Sequence, residues 1–351
     1  MRKISLVLCV VLVVSVFATA CGNGGGGGAA DDRVYELNVN FTVGEASAAN
    51  IVNWLDDIAE QSGGRLVFNY FYSNSLMSIP EIPRGIHAGI ADISQLPLPN
   101  FPSQFPLNTR ILQLPFMELG DITQATEIFT QIFYEFDAMQ EELAASGIRM
   151  LTVNSFGGYQ LQLSQPTDVR VPADLGGLRI LTQKTEVAQL IANNRGAPIE
   201  LPPPEFFSAL DRGVADGFVN MFGFLTMFGL HEVINSQIVF GDHGIFTDFN
   251  MVVIRIDTFN ELPEDLQQLF IDNAPTLRDA EIGHLSNMSN AARARAEENG
   301  NTIITLTPEE IEVWRQDAIA IHEDTIRELE QAGRTDAREI YNRVVEIVSQ
   351  R

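Results

Sequence analysis

Few side chains in this sequence are of the types that carry out covalent or metal chemistry, and their spacing does not fit the common sites. Both cysteines, Cys9 and Cys21, lie near the start, so the rest of the chain has no thiolate nucleophile, disulfide or cysteine-based metal site. His231-Glu232 begins a zinc motif of the form His-Glu-x-x-His, but Asn235 occupies the last ligand position. The histidines are scattered, and no Gly-x-Ser-x-Gly motif occurs. The sequence therefore predicts no enzyme, no metal site and no cofactor.

Cys21 is the one residue whose surroundings predict a covalent modification. A basic start precedes an apolar run at residues 4–17, and small residues lead directly to Cys21, in a pattern similar to a bacterial lipobox. Five glycines follow almost at once and form a flexible tether. We expect a signal peptide at 1–20 and a lipidated cysteine with a Gly-rich tether at 21–32, which places the protein outside the cytoplasm. In the alternative, cleavage leaves Cys21 as an unused thiol.

The length and net charge of the chain limit the number of domains and the classes of partner that it can have. A chain of 351 residues is long enough for two hydrophobic cores. Asp and Glu number 46 against 22 Lys and Arg, and no basic cluster is present, which argues against a nucleic-acid partner. After residue 20 the sequence has no transmembrane span, so the only membrane contact expected is through the lipid.

Strand patterns alternate with helix patterns along the chain, which predicts parallel βαβ units and an α/β fold. Residues 154–158 are expected to be a flexible crossing between domains, 221–230 are too irregular to assign, and Pro275 is expected to kink or interrupt its helix. Strands are predicted at 35–41, 65–72, 91–95, 148–153, 178–181, 198–201, 214–219, 249–256 and 301–306. One more strand is predicted to end at residue 240. Helices are predicted around 51–58 and at 121–146, 186–193, 204–211, 262–298, 307–332 and 336–348.

The order of residues in one stretch, 172–220, carries a family resemblance. It contains Pro-Ala-Asp-Leu at 172–175, Gly-Leu-Arg-Ile at 177–180, Gly-Ala at 196–197, and Asp216-Gly217 followed by Asn220. This order of residues resembles the second-domain core of the solute-binding proteins of TRAP (tripartite ATP-independent periplasmic) transporters, the dicarboxylate-binding, DctP-type family. Two arginines of that family that hold the ligand are replaced here, by Gln160 and Leu181.

The resemblance implies a two-domain periplasmic-binding-protein-like fold, in which two α/β sandwich domains enclose a cleft and are joined by crossing strands and a long helix. We expect the first domain to comprise 33–156 plus about 247–285. The second would comprise 157–246 plus about 286–351 with the C-terminal helices. The implied function is capture of a small solute in the cleft and its delivery to the TRAP permease subunits in the membrane. A receptor that presents the solute to a membrane sensor, or an extracellular enzyme, are the alternatives.

The resemblance also selects the candidate ligand-binding residues. These are Gln160, Leu181, Gln183, Lys184, Asn220, Phe222 and His243. Lys184 is the best replacement cation, whereas a two-residue shift of the alignment would instead put Arg179 in the arginine's place. Two ligand classes stay open: an acid held by Lys184 and backbone donors, or a neutral, largely apolar or hydroxylated solute. We favour the neutral solute.

Overall fold

The computed structural model describes residues 33–351; the predicted signal peptide, Cys21 and the tether lie outside them. The strands are β1 Tyr35–Asn40, β2 Leu66–Phe71, β3 Ile93–Pro97, β4 Ile148–Gly158, β5 Gln160–Leu163, β6 Arg179–Leu181, β7 Ala197–Ile199, β8 Gly217–Asn220, β9 Ser236–Val239, β10 Thr247–Arg255 and β11 Thr302–Thr305. The helices are α1 Glu45–Gln61, α2 Ile82–His87, α3 Pro106–Arg110, α4 Ile122–Glu135, α5 Asp137–Ala144, α6 Thr185–Asn193, α7 Phe206–Asp211, α8 Gly223–Met227, α9 Ile256–Glu261, α10 Glu264–Glu298, α11 Pro308–Gln331 and α12 Ala337–Ser349.

The first sheet has the strand order β2-β1-β3-β10-β4 and is covered on both faces. β1 pairs in parallel with β2 and β3, whereas β10 runs antiparallel to β3 and β4. Side chains of a strand alternate between faces. Accordingly, Phe249 and Met251 of β10 belong to the core beneath α4 and α5, while Val252 and Ile254 belong to the core beneath α1 and the start of α10. We call this sheet and its helices the first lobe.

The second sheet has the order β11-β9-β5-β8-β6-β7 and forms its own apolar core. β5 runs antiparallel to β8 and β9, and the other neighbours are parallel. The core includes Leu181 of β6, Phe218 of β8 and Trp314 of α11. We call this sheet and its helices the second lobe. Two sheets, each packed by its own helices, confirm the predicted two-domain α/β architecture.

The two lobes are joined by paired strands and long helices. β4 pairs with β10 from Ile148 to Gly158, so residues 154–158, which were predicted as a flexible crossing, form the end of a strand, and the chain passes to the second sheet directly after them. The backbone of residues 154–158 is hydrogen-bonded to β10, about 90 positions further along the chain. A pairing over that distance cannot be read from the local sequence. α10 begins in the core of the first lobe with Leu266 and ends in that of the second with Ala296.

Other boundaries differ from the sequence prediction. The single helix expected at 121–146 is two helices, since Phe136 adopts extended backbone (φ −116°, ψ 106°) between α4 and α5. Pro275 lies inside α10 without ending it, so an interruption there is wrong. α12 packs through Ile340 and Val344 on the core of the first lobe, although 286–351 were expected in the second. The helix predicted at 307–332 is α11, which begins with a capping box formed by Thr307 and Glu310.

Candidate functional site

A cavity of about 510 Å³ lies between the two lobes. Proline-rich backbone after β3 closes it on one side, and the residues that follow β6 and β8 close it on the other. Its apolar lining is Pro97, Pro99, Pro102, Phe156, Phe206, Val219, Met221, Phe224, Met227 and Phe246. Its polar lining is Asn100, Tyr159, Thr182, Gln183, Lys184, Thr185, Glu200, Asn220 and Asp248. A concave, mostly apolar cavity with a few converging polar groups has the usual character of a small-molecule site.

Asp248 reaches the cavity at an irregularity in the strands that join the lobes. Thr247 pairs with Gly158 and Phe249 pairs with Ser155, so two residues of β4, Phe156 and Gly157, stand opposite Asp248 alone. This is a β-bulge, which changes the direction of nearby side chains. Gly157 has φ +85°, and a Cβ there would lie 2.9 Å from Ile122, so this bulge needs glycine.

Lys184 also lines the cavity and lies directly before α6. Its ammonium donates to the carbonyl oxygen of Thr109 at 3.0 Å and to Oε1 of Gln113 at 2.6 Å. Although the residue is partly exposed, the ammonium lies below the surface, and this burial lowers the pKa of Lys184. The lysine of the second lobe is thus already bonded to two groups in and after α3, a helix of the first lobe.

The short helix α3 is held in place by a buried carboxylate. Glu142 accepts hydrogen bonds from the backbone N–H groups of Leu107 and Asn108 and from the Asn108 side chain, at 2.9 to 3.1 Å. From the end of α3, Arg110 forms a 3.0 Å ion pair with the buried Glu186 on α6. This pairing holds α3 against the segment that carries Lys184.

Burial and neighbouring charges shift the protonation of the acidic groups in the cavity. Burial raises the pKa of Asp248 from 3.8 to about 6, although Lys184 and the Tyr159 hydroxyl oppose the rise. Burial, together with the negative charge of Asp248, raises the pKa of Tyr159 well above 10. The cavity therefore contains one buried cation and one buried acid that titrates near neutral pH.

The structure brings three of the sequence-predicted residues to this cavity. Gln183, Lys184 and Asn220 all line it. The side-chain oxygen of Asn220 accepts from the N–H of Met221 at 2.9 Å, which leaves its amide NH₂ as the group that can face a solute. Gln183 is exposed at the rim.

The remaining predicted residues lie elsewhere. Leu181 is fully buried in the core of the second lobe. Gln160 and Phe222 line a separate cavity of about 250 Å³ next to α10, and both polar groups of the Gln160 side chain bond to the backbone at 240–241. His243 bonds through Nδ1 to the carbonyl oxygen of Gly244. The geometry does not bring these four residues to the cavity between the lobes.

Arg179 does not replace the missing arginine at the cavity. Its Nε and Nη2 atoms donate to the two carboxylate oxygens of Asp216 at 2.9 and 2.8 Å. Such a two-point ion pair uses the fork of the guanidinium that would otherwise hold a carboxylate ligand. Lys184 is the cation that lines the cavity among the described residues.

Sequence reasoning missed Asp248, Tyr159 and Phe156. A carboxylate inside the apolar run around Phe246 and Phe249 was the available signal, because a buried acid needs a partner or a function. The other residues carried no such signal. Within residues 33–351, no group of three or more His, Cys, Asp or Glu could hold a metal ion, and no helix has the length and apolar character needed to cross a membrane.

Comparison with known proteins shows the family. The family model of the bacterial extracellular solute-binding proteins, family 7 (DctP), matches residues 42–329. The ectoine-binding periplasmic protein TeaA of Halomonas elongata is 24% identical over 238 residues, which cover 67% of this chain and 68% of TeaA.

Solved structures show the same fold. A TRAP solute-binding protein of Rhodoferax ferrireducens, solved with copurified benzoate, has a TM-score of 0.75 and 18% identity over 90% of this chain and 98% of its own. A marine metagenome protein specific for aromatic acid ligands, in complex with 3-hydroxybenzoate, has a TM-score of 0.76 and is 19% identical; the match covers 91% of this chain and 99% of that protein. The chain belongs to the bacterial extracellular solute-binding proteins of family 7, the solute receptors of TRAP transporters.

Proposed function

We propose that this receptor binds a small organic solute without net charge in the cavity between its lobes and delivers it to the membrane permease subunits of a TRAP transporter. The observation that carries the proposal is the charge of the lining. Among the described residues, no arginine lines the cavity, and its buried cation Lys184 shares the lining with the buried acid Asp248.

A simple carboxylate lacks a strong partner in such a cavity. An arginine can hold a carboxylate through two parallel charge-assisted hydrogen bonds, a geometry that lysine cannot copy. Lys184 already donates to Thr109 and Gln113, and a second negative charge would lie near Asp248. Losing a buried charged contact typically costs a ligand about 2–5 kcal/mol. A monocarboxylate should therefore bind weakly.

The walls favour a solute with an apolar body. Phe156, Phe206, Phe224 and Phe246 contribute aromatic rings to the cavity. The name of TeaA supports a solute other than a simple acid, since ectoine is a zwitterion without net charge. The aromatic acids of the two solved relatives represent the competing class.

We also propose that the receptor is anchored outside the cytoplasm through a lipid on Cys21, with residues 22–32 as the tether. The support is the sequence pattern around Cys21. Family membership supports the extracytoplasmic location and the permease partner. Leu181 and Gln160, which replace the family's arginines, contribute to recognition only through the absence of a positive charge.

A thermal-shift screen tests the proposal, because a ligand that binds only the folded state raises the melting temperature. Uncharged amides, polyols and zwitterions are compared with benzoate and succinate. We expect the largest shift from a solute without net charge, and a loss of that shift in Gln183→Trp, which places a large side chain at the rim. Gln350→Trp, exposed near the C-terminus, is the matched control. A large shift with benzoate or succinate, or a shift that Gln183→Trp leaves intact, contradicts the proposal.

A further inference from the structure

Asp248 is a buried carboxylate with an unused acceptor. Its side chain lines the cavity between the lobes, and the residue is only 6% exposed. Oδ1 has no hydrogen-bond partner among the described residues. Leaving a buried charged acceptor unpaired is unfavourable, so such a group needs a partner from outside the chain or a function. The residue lines a cavity that is large enough for a solute.

Lys184 complements Asp248 without contacting it. The attraction between the two charges affects the pKa of both groups. In the part of the chain that the structure describes, however, the two side chains do not form a direct ion pair. Two of the three ammonium donors of Lys184 are bonded to Thr109 and Gln113, which leaves one. An unpaired acceptor on one residue and a remaining cationic donor on another, both in the lining of the same cavity, match a molecule with one charge of each sign.

On the basis of the proposed function, we infer that Asp248 determines specificity by accepting a hydrogen bond from a cationic nitrogen of the solute. The carboxylate of the same solute takes the remaining donor of Lys184, and the solute's own cation offsets the negative charge of Asp248 that a simple acid would meet. The solute class is thus a compact zwitterion whose nitrogen carries at least one N–H group. Its uncharged body packs on the aromatic residues of the cavity, and the amide NH₂ of Asn220 is available as a further donor.

Calorimetric titration with matched probes tests this assignment. L-Phenylalanine, 3-phenylpropionate and 2-phenylethylamine share one skeleton and carry both charges, only the negative one, or only the positive one. Ectoine and L-proline are smaller zwitterions with N–H groups, and glycine betaine is a zwitterion without one. We expect at least one N–H zwitterion to bind about tenfold or more tightly than the singly charged probes and betaine, the range of a charge-assisted hydrogen bond. Equal or tighter binding of 3-phenylpropionate, or no binding by any of the N–H zwitterions, overturns the inference.

Asp248→Asn separates the role of the carboxylate from the presence of the cavity. The variant should weaken binding of the zwitterion by about tenfold or more and strengthen binding of 3-phenylpropionate, because one negative charge is removed. Asp216→Asn, which alters a carboxylate away from the cavity, should change neither affinity. A zwitterion that binds wild type and Asp248→Asn equally overturns the inference but not the proposed function. If Gln183→Trp leaves the ligand-induced thermal shift intact, the solute does not bind in the cavity between the lobes, and the proposed function is contradicted instead.

A pH series on the wild-type protein gives a readout that does not depend on a variant. Lys184, Tyr159 and Glu186 act on the pKa of Asp248, and Glu200 is a further titratable group in the cavity lining. Affinity for the zwitterion should fall by about tenfold between pH 7.5 and pH 4.5, as Asp248 becomes protonated and loses its charge. Asp248→Asn should lack this dependence. An unchanged wild-type affinity across that range contradicts the assignment.

Discussion

Replacement of Asp248 by asparagine is expected to stabilise the unliganded protein. Folding raises the pKa of this carboxyl from 3.8 to about 6. Each unit of pKa corresponds to about 1.4 kcal/mol, so the ionised form is disfavoured in the folded protein by about 3 kcal/mol. This figure already contains the attraction of Lys184, which opposes the effect of burial. Asparagine has nearly the same shape and no charge, and it removes this cost.

The effect should depend on pH in a defined direction. Because the folded-state pKa is the higher one, the folded protein binds more protons than the unfolded chain between pH 3.8 and about 6. The wild type therefore loses stability as pH rises through this window, and the loss is complete above about pH 6. Asp248→Asn should exceed wild type by about 3 kcal/mol at pH 8, and the difference should shrink towards zero near pH 4.

Urea unfolding of both proteins at pH 8, 6 and 4.5 measures this difference. Asp216→Asn is the matched control, because its ion pair with Arg179 lowers the pKa of Asp216 instead. That variant should be slightly less stable than wild type at pH 8, by at most about 1 kcal/mol, since the pair is partly exposed. An Asp248→Asn protein that is less stable than wild type at pH 8, or whose advantage is the same at pH 4.5, would refute the reasoning.

Arg179, Leu181 and Cys21 can each be tested by one substitution. Arg179→Gln should cost at most about 1 kcal/mol in urea unfolding and leave solute affinity unchanged, because Arg179 pairs with Asp216 away from the cavity; a lost affinity would place it at the ligand. Leu181→Arg, which restores the family residue, should lower the free energy of unfolding by about 3 kcal/mol or more, since Leu181 is fully buried; a stable variant that gains binding of benzoate would disprove this. Cys21→Ala should move the protein from the membrane to the soluble fraction of fractionated cells, and retention on membranes would contradict lipidation.

Much of the fold could be predicted from the sequence, because its signals are local. The strand predicted at 35–41 lies where apolar and polar residues alternate, and the helix predicted at 307–332 begins at the capping-box residues Thr307 and Glu310. The break at Phe136 could not be predicted in this way. Phe136 packs on the same apolar core as the residues before and after it. The apolar period therefore continues across the break, while one extended residue redirects the chain.

Only some of the residues that line the cavity between the lobes were among the candidates selected from the sequence. Lys184 and Asn220 lie in or next to the stretch that carries the family resemblance, so their position followed from the motif. Asp248 is far from that stretch, and its direction depends on the bulge opposite Phe156 and Gly157. A bulge is a property of two paired strands, and its position cannot be read from either strand alone.

The placement of Lys184 and Asp248 also bears on how solute binding and lobe closure can be linked. Both groups are desolvated in this arrangement of the lobes, yet they do not form an ion pair that would offset that cost. If a zwitterion bridges them, its two charges supply the missing partners only when Lys184 of the second lobe and Asp248 on the connecting strand face the same cavity. A ligand shifts an equilibrium between conformations only through its different affinity for them. The unpaired charges would then disfavour the closed arrangement of the empty receptor, and the same charges would favour it once the solute is bound.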